Sequence, residues 1–171
     1  MRRRTHIRYW THAAIIGALY AVLTHLQNFI LPGSASWAIQ CRMSEVLCVL
    51  ALFTPAAIPG LTAGCLLFNI TSAAVLPLDF LVGSLATFLA ATGIRRFRNL
   101  QFRGYPLVSM LMPALANAIL VGWELTVYIG GGFWINAAYV ALGELIVLLI
   151  PGTILYFTIK NRRLDQRLFH L

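Results

Sequence analysis

Five breaks marked by proline or glycine cut this chain into apolar runs of membrane-helix length, which a water-soluble fold does not accommodate. The breaks are Pro32-Gly33, Pro55 with Pro59-Gly60, Pro77, Pro106 and Gly130-Gly131-Gly132; Pro and Gly are the strongest local punctuators of structure. Between them lie apolar segments at about 10–31, 44–57, 58–76, 78–94, 106–129 and 133–159. A membrane helix needs about 20 apolar residues. Of the 171 residues 60% are hydrophobic and 11% charged, against about a quarter charged in soluble domains. The expectation is an all-α integral membrane protein, one membrane domain over 1–171 with no soluble part. Pro113 and Pro151 fall inside helical patterns, where membrane helices tolerate a kink.

The stretch 44–76 is too long for one straight span and barely long enough for two. Charge decides between them. Arg2, Arg3, Arg4 and Arg8 place the amino terminus in the cytoplasm, and the clusters Arg95, Arg96, Arg98, Arg103 and Lys160, Arg162, Arg163, Arg167 belong there too. An even number of crossings must separate the first cluster from the second, so the stretch is expected to split into two short helices turning at Pro55 to Pro59. Six transmembrane helices follow, in a multi-pass protein of the cell membrane with both termini cytoplasmic. The net charge of +8 then reads as topology, with no nucleic-acid partner. The first apolar stretch opens with Trp10, Thr11 and His12 and closes with Thr24, His25, Gln27 and Asn28, too long and too polar for a cleaved signal. It is expected to be a retained helix.

Cys41, Cys48 and Cys65 show no metal or redox spacing and read as small buried hydrophobes. His12 and His25 read as polar groups of helix packing. The chain has no phosphate-binding loop, internal repeat or low-complexity run, which excludes a nucleotide-hydrolysing enzyme. No cofactor is expected.

Twelve of the thirteen basic residues fall to one side; the exception is Arg42, in "RMSE" at 42–45. On this topology Arg42 and Glu45 start the second helix at the outer surface, Asp79 starts the fourth, and Asn69 lies near the outer end of the third. Glu124 lies below the outer end of the fifth, with Asn117 seven residues earlier on the same face. Glu144 is about three turns into the sixth, on a stripe with Ala137, Val140 and Ala141. Arg42 and Glu45 admit two readings, an i, i+3 bridge at the interface or a pair at the rim of a pocket where Arg42 orients Glu45. A bridge leaves Glu124 and Glu144 without a basic partner at their depth, and an intramembrane acid of that kind is a functional candidate. Trp37, Trp123, Phe133 and Trp134 fall near the outer surface, as an interfacial belt or with Trp123 stacking on a planar ligand. These polar positions imply a pocket that opens outward and takes a small cationic or donor-rich molecule.

Small residues recur every four positions on the first helix, as Ala13, Gly17 and Ala21 with a parallel row of Ala14 and Ala18; the third carries Gly60 and Gly64. Such stripes allow close helix approach. The third-helix pair is expected to pack internally and the first-helix stripe to face an external partner.

"RMSEVLCVLALFTPAAIPGLTAGCLLFNI" at 42–70, followed by "LDFLVGSLATFLA" at 78–90, resembles the QueT family. The elements that carry the likeness are Arg-x-Ser-Glu at Arg42 to Glu45, Pro-Gly-Leu-x-x-Gly at Pro59 to Gly64 and Asp-x-x-x-Gly-Ser at Asp79 to Ser84; it extends over nearly the whole chain. The resemblance implies a six-helix S component of an energy-coupling factor (ECF) importer, which binds a queuosine precursor from the outer side. It also implies docking through the small residues of the first helix onto a T component, powered by two ATPase subunits. Gly17 stands where an alanine is usual. A 7-deazaguanine offers a paired donor edge that one carboxylate accepts, so Glu124 or Glu144 is expected to take that edge. The other acids would hold an amine, with Asn69 and Asn117 on the remaining polar atoms. An S component for another vitamin or purine and a stand-alone proton-coupled carrier are the other readings.

Overall fold

The computed structural model describes residues 2–32, 41–72 and 76–168. Trp37, expected near the outer surface, lies outside them. The described residues form α1 (Arg2–Ile30), a 3₁₀ helix (Met43–Leu52), α2 (Ala57–Thr71), α3 (Asp79–Phe97), α4 (Leu107–Tyr128) and α5 (Phe133–Val147). A single π-helical turn (Leu148–Gly152) joins α5 to α6 (Thr153–Asn161), and a short α7 (Leu164–Leu168) follows. Pro151 sits in the π turn, which absorbs the missing N–H and lets α5 and α6 run on as one apolar stretch, Phe133–Asn161. Pro113 is passed without a break in α4.

Four helical stretches are long and apolar enough to cross a membrane: Thr5–Ile30, Asp79–Phe97, Leu107–Tyr128 and Phe133–Asn161. The expected pair of short helices is present, although its first member is wound as a 3₁₀ helix. At about 2.0 Å per residue its ten residues reach about 20 Å, against about 15 Å for an α-helix of that length. α2, with 15 residues, covers about 22 Å. The turn between them holds Pro55, and Pro59 sits in the first turn of α2, where a missing N–H costs nothing.

Neighbours in sequence are neighbours in space: α1 packs on α2, α2 on α3, α3 on α4 and α4 on α5. The ring is completed by the 3₁₀ helix, which touches all five of these helices, the π turn and α6. Its Cys48, Val49 and Ala51 are fully buried and belong to the main apolar core, with Tyr20, Leu61, Ile94, Met110 and Leu148. A smaller cluster, Ala86, Val121, Leu125 and Val140, lies between α3, α4 and α5. Around this interior the bundle is apolar outward. Exposed stripes run through Leu115, Ile119, Trp123 and Val127 of α4 and Ile135, Tyr139, Leu142 and Ile146 of α5, the four- and three-residue spacing of a face turned to lipid.

The small-residue stripes meet each other. A Cβ on Gly60 would lie 2.6 Å from the Ala13 carbonyl oxygen, and one on Gly64 would lie 2.6 Å from that of Gly17. Backbone thus touches backbone between α1 and α2, and only glycine fits. This contact takes up part of the stripe expected to face an external partner. Ala13, Gly17 and Ala21 are buried because α2 needs that row, and only Ala14 and Ala18 remain exposed. They flank a groove of about 360 Å³ floored by Ala13 and Gly17 and walled by Ala63 and Leu67 of α2.

Basic residues gather at one end of the bundle. The Arg95 guanidinium donates to the Leu52 carbonyl at 3.2 Å, Arg98 and Lys160 share one pocket with Phe53, and Pro55 lies beside His6 and Tyr9 of α1. The opposite end carries His25 with Thr71 (2.9 Å) and Arg42 with Asp79.

Candidate functional site

Near the end opposite the basic clusters the interior turns polar. Arg42, Ser44, Glu45, Asn69, Asp79, Ser84, Thr87, Asn117, Glu124 and Glu144 are all buried, drawn from the 3₁₀ helix and from α2 to α5. Every buried polar group in lipid demands a partner.

The first half of the cluster is well supplied. Arg42 caps the 3₁₀ helix in an extended conformation, φ −71° and ψ 106°. Its guanidinium pairs with Asp79 Oδ2 at 3.0 Å, donates to Cys65 Sγ at 3.8 Å and lies over the Phe68 ring at 5.7 Å. Glu45 accepts from the Tyr20 hydroxyl and from the Cys48 thiol at 2.9 Å. Neither the expected i, i+3 bridge nor an Arg42 that orients Glu45 by direct pairing is the arrangement found; the two residues of "RMSE" bond to different partners. The Thr24 hydroxyl donates to Ser44 Oγ at 2.7 Å, tying α1 to the same segment. Asn69 Nδ2 donates to the Asp79 carbonyl at 2.7 Å. Gly83 leaves room for both, since a Cβ there would lie 2.6 Å from Asp79 Oδ1 and 2.9 Å from Asn69 Nδ2.

The second half is left open. Glu124 is 0% exposed, and neither of its carboxylate oxygens has a hydrogen-bond partner among the described residues. Glu144 accepts from Asn117 Nδ2 at 3.1 Å through Oε1, and its Oε2 is unfilled. Asp79 Oδ1, Asn69 Oδ1 and the Ser84 hydroxyl are likewise without partners among the described residues. The buried cluster therefore holds four acids against one guanidinium, with acceptor capacity concentrated on α3, α4 and α5. Chemically the arrangement can accept hydrogen bonds from a donor-rich group or offset the charge of a cationic one.

A family model described as QueT transporter matches residues 10–161. The chain belongs to the QueT transporter family. It is thus a membrane transporter protein. No curated protein and no solved structure matches it. Within this QueT family member the three elements that carried the resemblance converge. Arg42 pairs with Asp79, Glu45 accepts from Tyr20 and Cys48, Gly60 and Gly64 make the α1–α2 contact, and Gly83 leaves room for Asp79 and Asn69.

Not every expected residue joins the cluster. Trp123 is 50% exposed on the outward stripe of α4, about 100° around the helix from Glu124, so adjacency in sequence does not make it a stacking partner in the interior. His25 bonds Thr71 and packs edge-on against Phe68 at 5.0 Å, as expected of a helix-packing group. Among the described residues no three metal-ligating side chains gather. Sequence reasoning missed Tyr20, Cys48 and Ser84. The Tyr20 signal was available, because Ile16, Tyr20 and Thr24 repeat every four residues on the buried face of α1.

Proposed function

We propose that the chain is the substrate-binding S component of an ECF importer, that it crosses the cell membrane six times with both termini cytoplasmic, and that its buried acids receive a 7-deazaguanine precursor of queuosine. The six-crossing topology is supported by the gathering of the α1 start, the Pro55 turn, Arg98 and Lys160 at one end, which the positive-inside rule puts in the cytoplasm. The acid cluster then lies toward the outer side. A T component and two ATPase subunits complete the importer, with Ala14, Ala18 and the groove between α1 and α2 as the docking face.

The observation that carries the substrate assignment is Glu124, with both carboxylate oxygens buried and unfilled. Its two parallel acceptors match the two parallel donors of the guanine edge, N1–H and the 2-amino group. Glu144 Oε2 and Asp79 Oδ1 receive an aminomethyl group where the precursor carries one, and Ser84 with the Asn69 carbonyl oxygen serves the remaining polar atoms. Trp123 has no part.

The test is mass spectrometry of small molecules released from the protein purified in mild detergent, followed by titration with 7-deazaguanines. A near-stoichiometric 7-deazaguanine is expected, and Glu124→Gln should weaken binding by at least about a hundredfold, as loss of a buried charged partner does. Wild-type affinity in that variant removes Glu124 from the edge. A different bound purine or vitamin, or no bound molecule and no response to the standards, removes the substrate. Failure to co-purify with ATPase subunits and a T component from cells that express all of them removes the S-component role and favours a stand-alone carrier.

A further inference from the structure

At the basic end a separate pocket of about 220 Å³ is built where α3, the loop to α4, and α6 meet the end of the 3₁₀ helix. Three interactions hold this corner in shape. The Tyr105 and Thr153 hydroxyls are 2.5 Å apart, the Tyr156 hydroxyl donates to the Gly104 carbonyl at 3.4 Å, and Phe53 stacks on Tyr156 with ring centroids 5.9 Å apart. Arg98 from the end of α3 and Lys160 from the end of α6 both line the cavity, with Gln101 as a further donor and Asp165 as its one acid. Neither Arg98 nor Lys160 forms an ion pair among the described residues. Lys160 instead lies over the Tyr156 ring at 5.6 Å, which leaves its ammonium free to meet an anion.

We infer that this pocket seats the phosphodiester headgroup of an anionic phospholipid. Two cations and one carboxylate give the lining a net charge of +1, which balances the single negative charge of a phosphodiester and undershoots a monoester that carries about −1.5 to −2. Basic pockets between membrane helices at the cytoplasmic surface recognise anionic headgroups in this way. The surroundings select a lipid over a soluble phosphate. Leu100, Phe102, Leu107 and Phe157 are exposed and each is next in sequence to a residue that lines the pocket, and Arg103 lies over the Phe102 ring at 5.7 Å, so the charged cavity is flanked by apolar side chains suited to acyl chains. The site is distinct from the acid cluster, which lies toward the opposite end; its place at the cytoplasmic surface rests on the proposed topology and not on which substrate is carried.

The experiment is native mass spectrometry of the full chain released from nanodiscs that contain phosphatidylglycerol and phosphatidylcholine, with thermal shift in detergent as a second readout. Phosphatidylglycerol is expected to be retained in preference to phosphatidylcholine. Arg98→Gln or Lys160→Gln should each weaken retention about fivefold and the double variant about thirtyfold, while Arg8→Gln on α1 leaves it unchanged. The conservative Lys160→Arg should keep most of the retention, which separates a charge requirement from loss of fold. Equal retention of both lipids, or equal losses in Arg8→Gln and the pocket variants, overturns the site. A thermal shift with inorganic phosphate or glycerol phosphate as large as that with phosphatidylglycerol overturns the lipid assignment.

Discussion

Two glutamates in this protein are buried to the same degree and meet opposite surroundings. Glu45 is 1% exposed and Glu124 is 0% exposed. Glu45 accepts from Tyr20 and Cys48 on the side bounded by α1 and the 3₁₀ helix. Glu124, on the side bounded by α3, α4 and α5, has no hydrogen-bond partner among the described residues. Burial alone therefore does not distinguish the two; unfilled acceptor capacity does. One side of the interior uses its polar groups to hold helices together, and the other leaves acceptors unfilled, at a cost in stability that a ligand would return on the proposed function.

The largest effect should come from the link between the two sides, the Arg42–Asp79 pair. Asp79→Asn leaves a buried guanidinium without the carboxylate that neutralises it, a change worth about 3–5 kcal/mol. Thermal unfolding in detergent should show a sharply lowered midpoint or no folded protein. A variant as stable as the parent would mean that the framework side does not depend on this pair. Glu45→Gln should come next, at about 1.5–3 kcal/mol, because an amide cannot accept from both Tyr20 and Cys48 through two oxygens. Glu124→Gln should lose no stability while it loses ligand. Equal destabilisation by the two substitutions would erase the distinction between the sides. Gly64→Val tests the packing under both. Even its Cβ would lie 2.6 Å from the Gly17 carbonyl oxygen, so the α1–α2 contact must open, at about 1–3 kcal/mol.

How much of this was legible in the sequence follows from how local each feature is. The helical segments were readable, since apolar runs between Pro and Gly breaks are local and their ends match the observed helices within a few residues at most boundaries. The winding of Met43–Leu52 was not, because ten apolar residues fit a 3₁₀ or an α-helix until the distance they must cover is known. The acids stood out by the cost of a carboxylate in lipid, which needs no tertiary information. The partner of Arg42 was hidden. Asp79 is 37 residues away, and the nearer Glu45 offered the simpler pairing. On α1 the rows Ala13–Gly17–Ala21 and Ala14–Ala18 are both small, so composition could not tell which one α2 would take. Gly60 and Gly64 decided it, since they bring backbone against the row that contains Gly17.

Trp123 gives the smallest expected effect and the sharpest check on where the open side ends. It follows Leu115 and Ile119 and precedes Val127 at four-residue intervals, all of them exposed, so its ring belongs to the surface that lipid covers. Trp123→Leu keeps an apolar side chain on that surface and should change stability by less than about 0.5 kcal/mol and leave the affinity for a 7-deazaguanine unaltered, measured by the same titration as for Glu124→Gln. A loss of several-fold would bring the indole into contact with the ligand despite its outward stripe. The proposed binding site would then have to reach between α4 and its neighbours to the lipid face, and the boundary between the filled and unfilled sides would pass through α4 itself and not beside it.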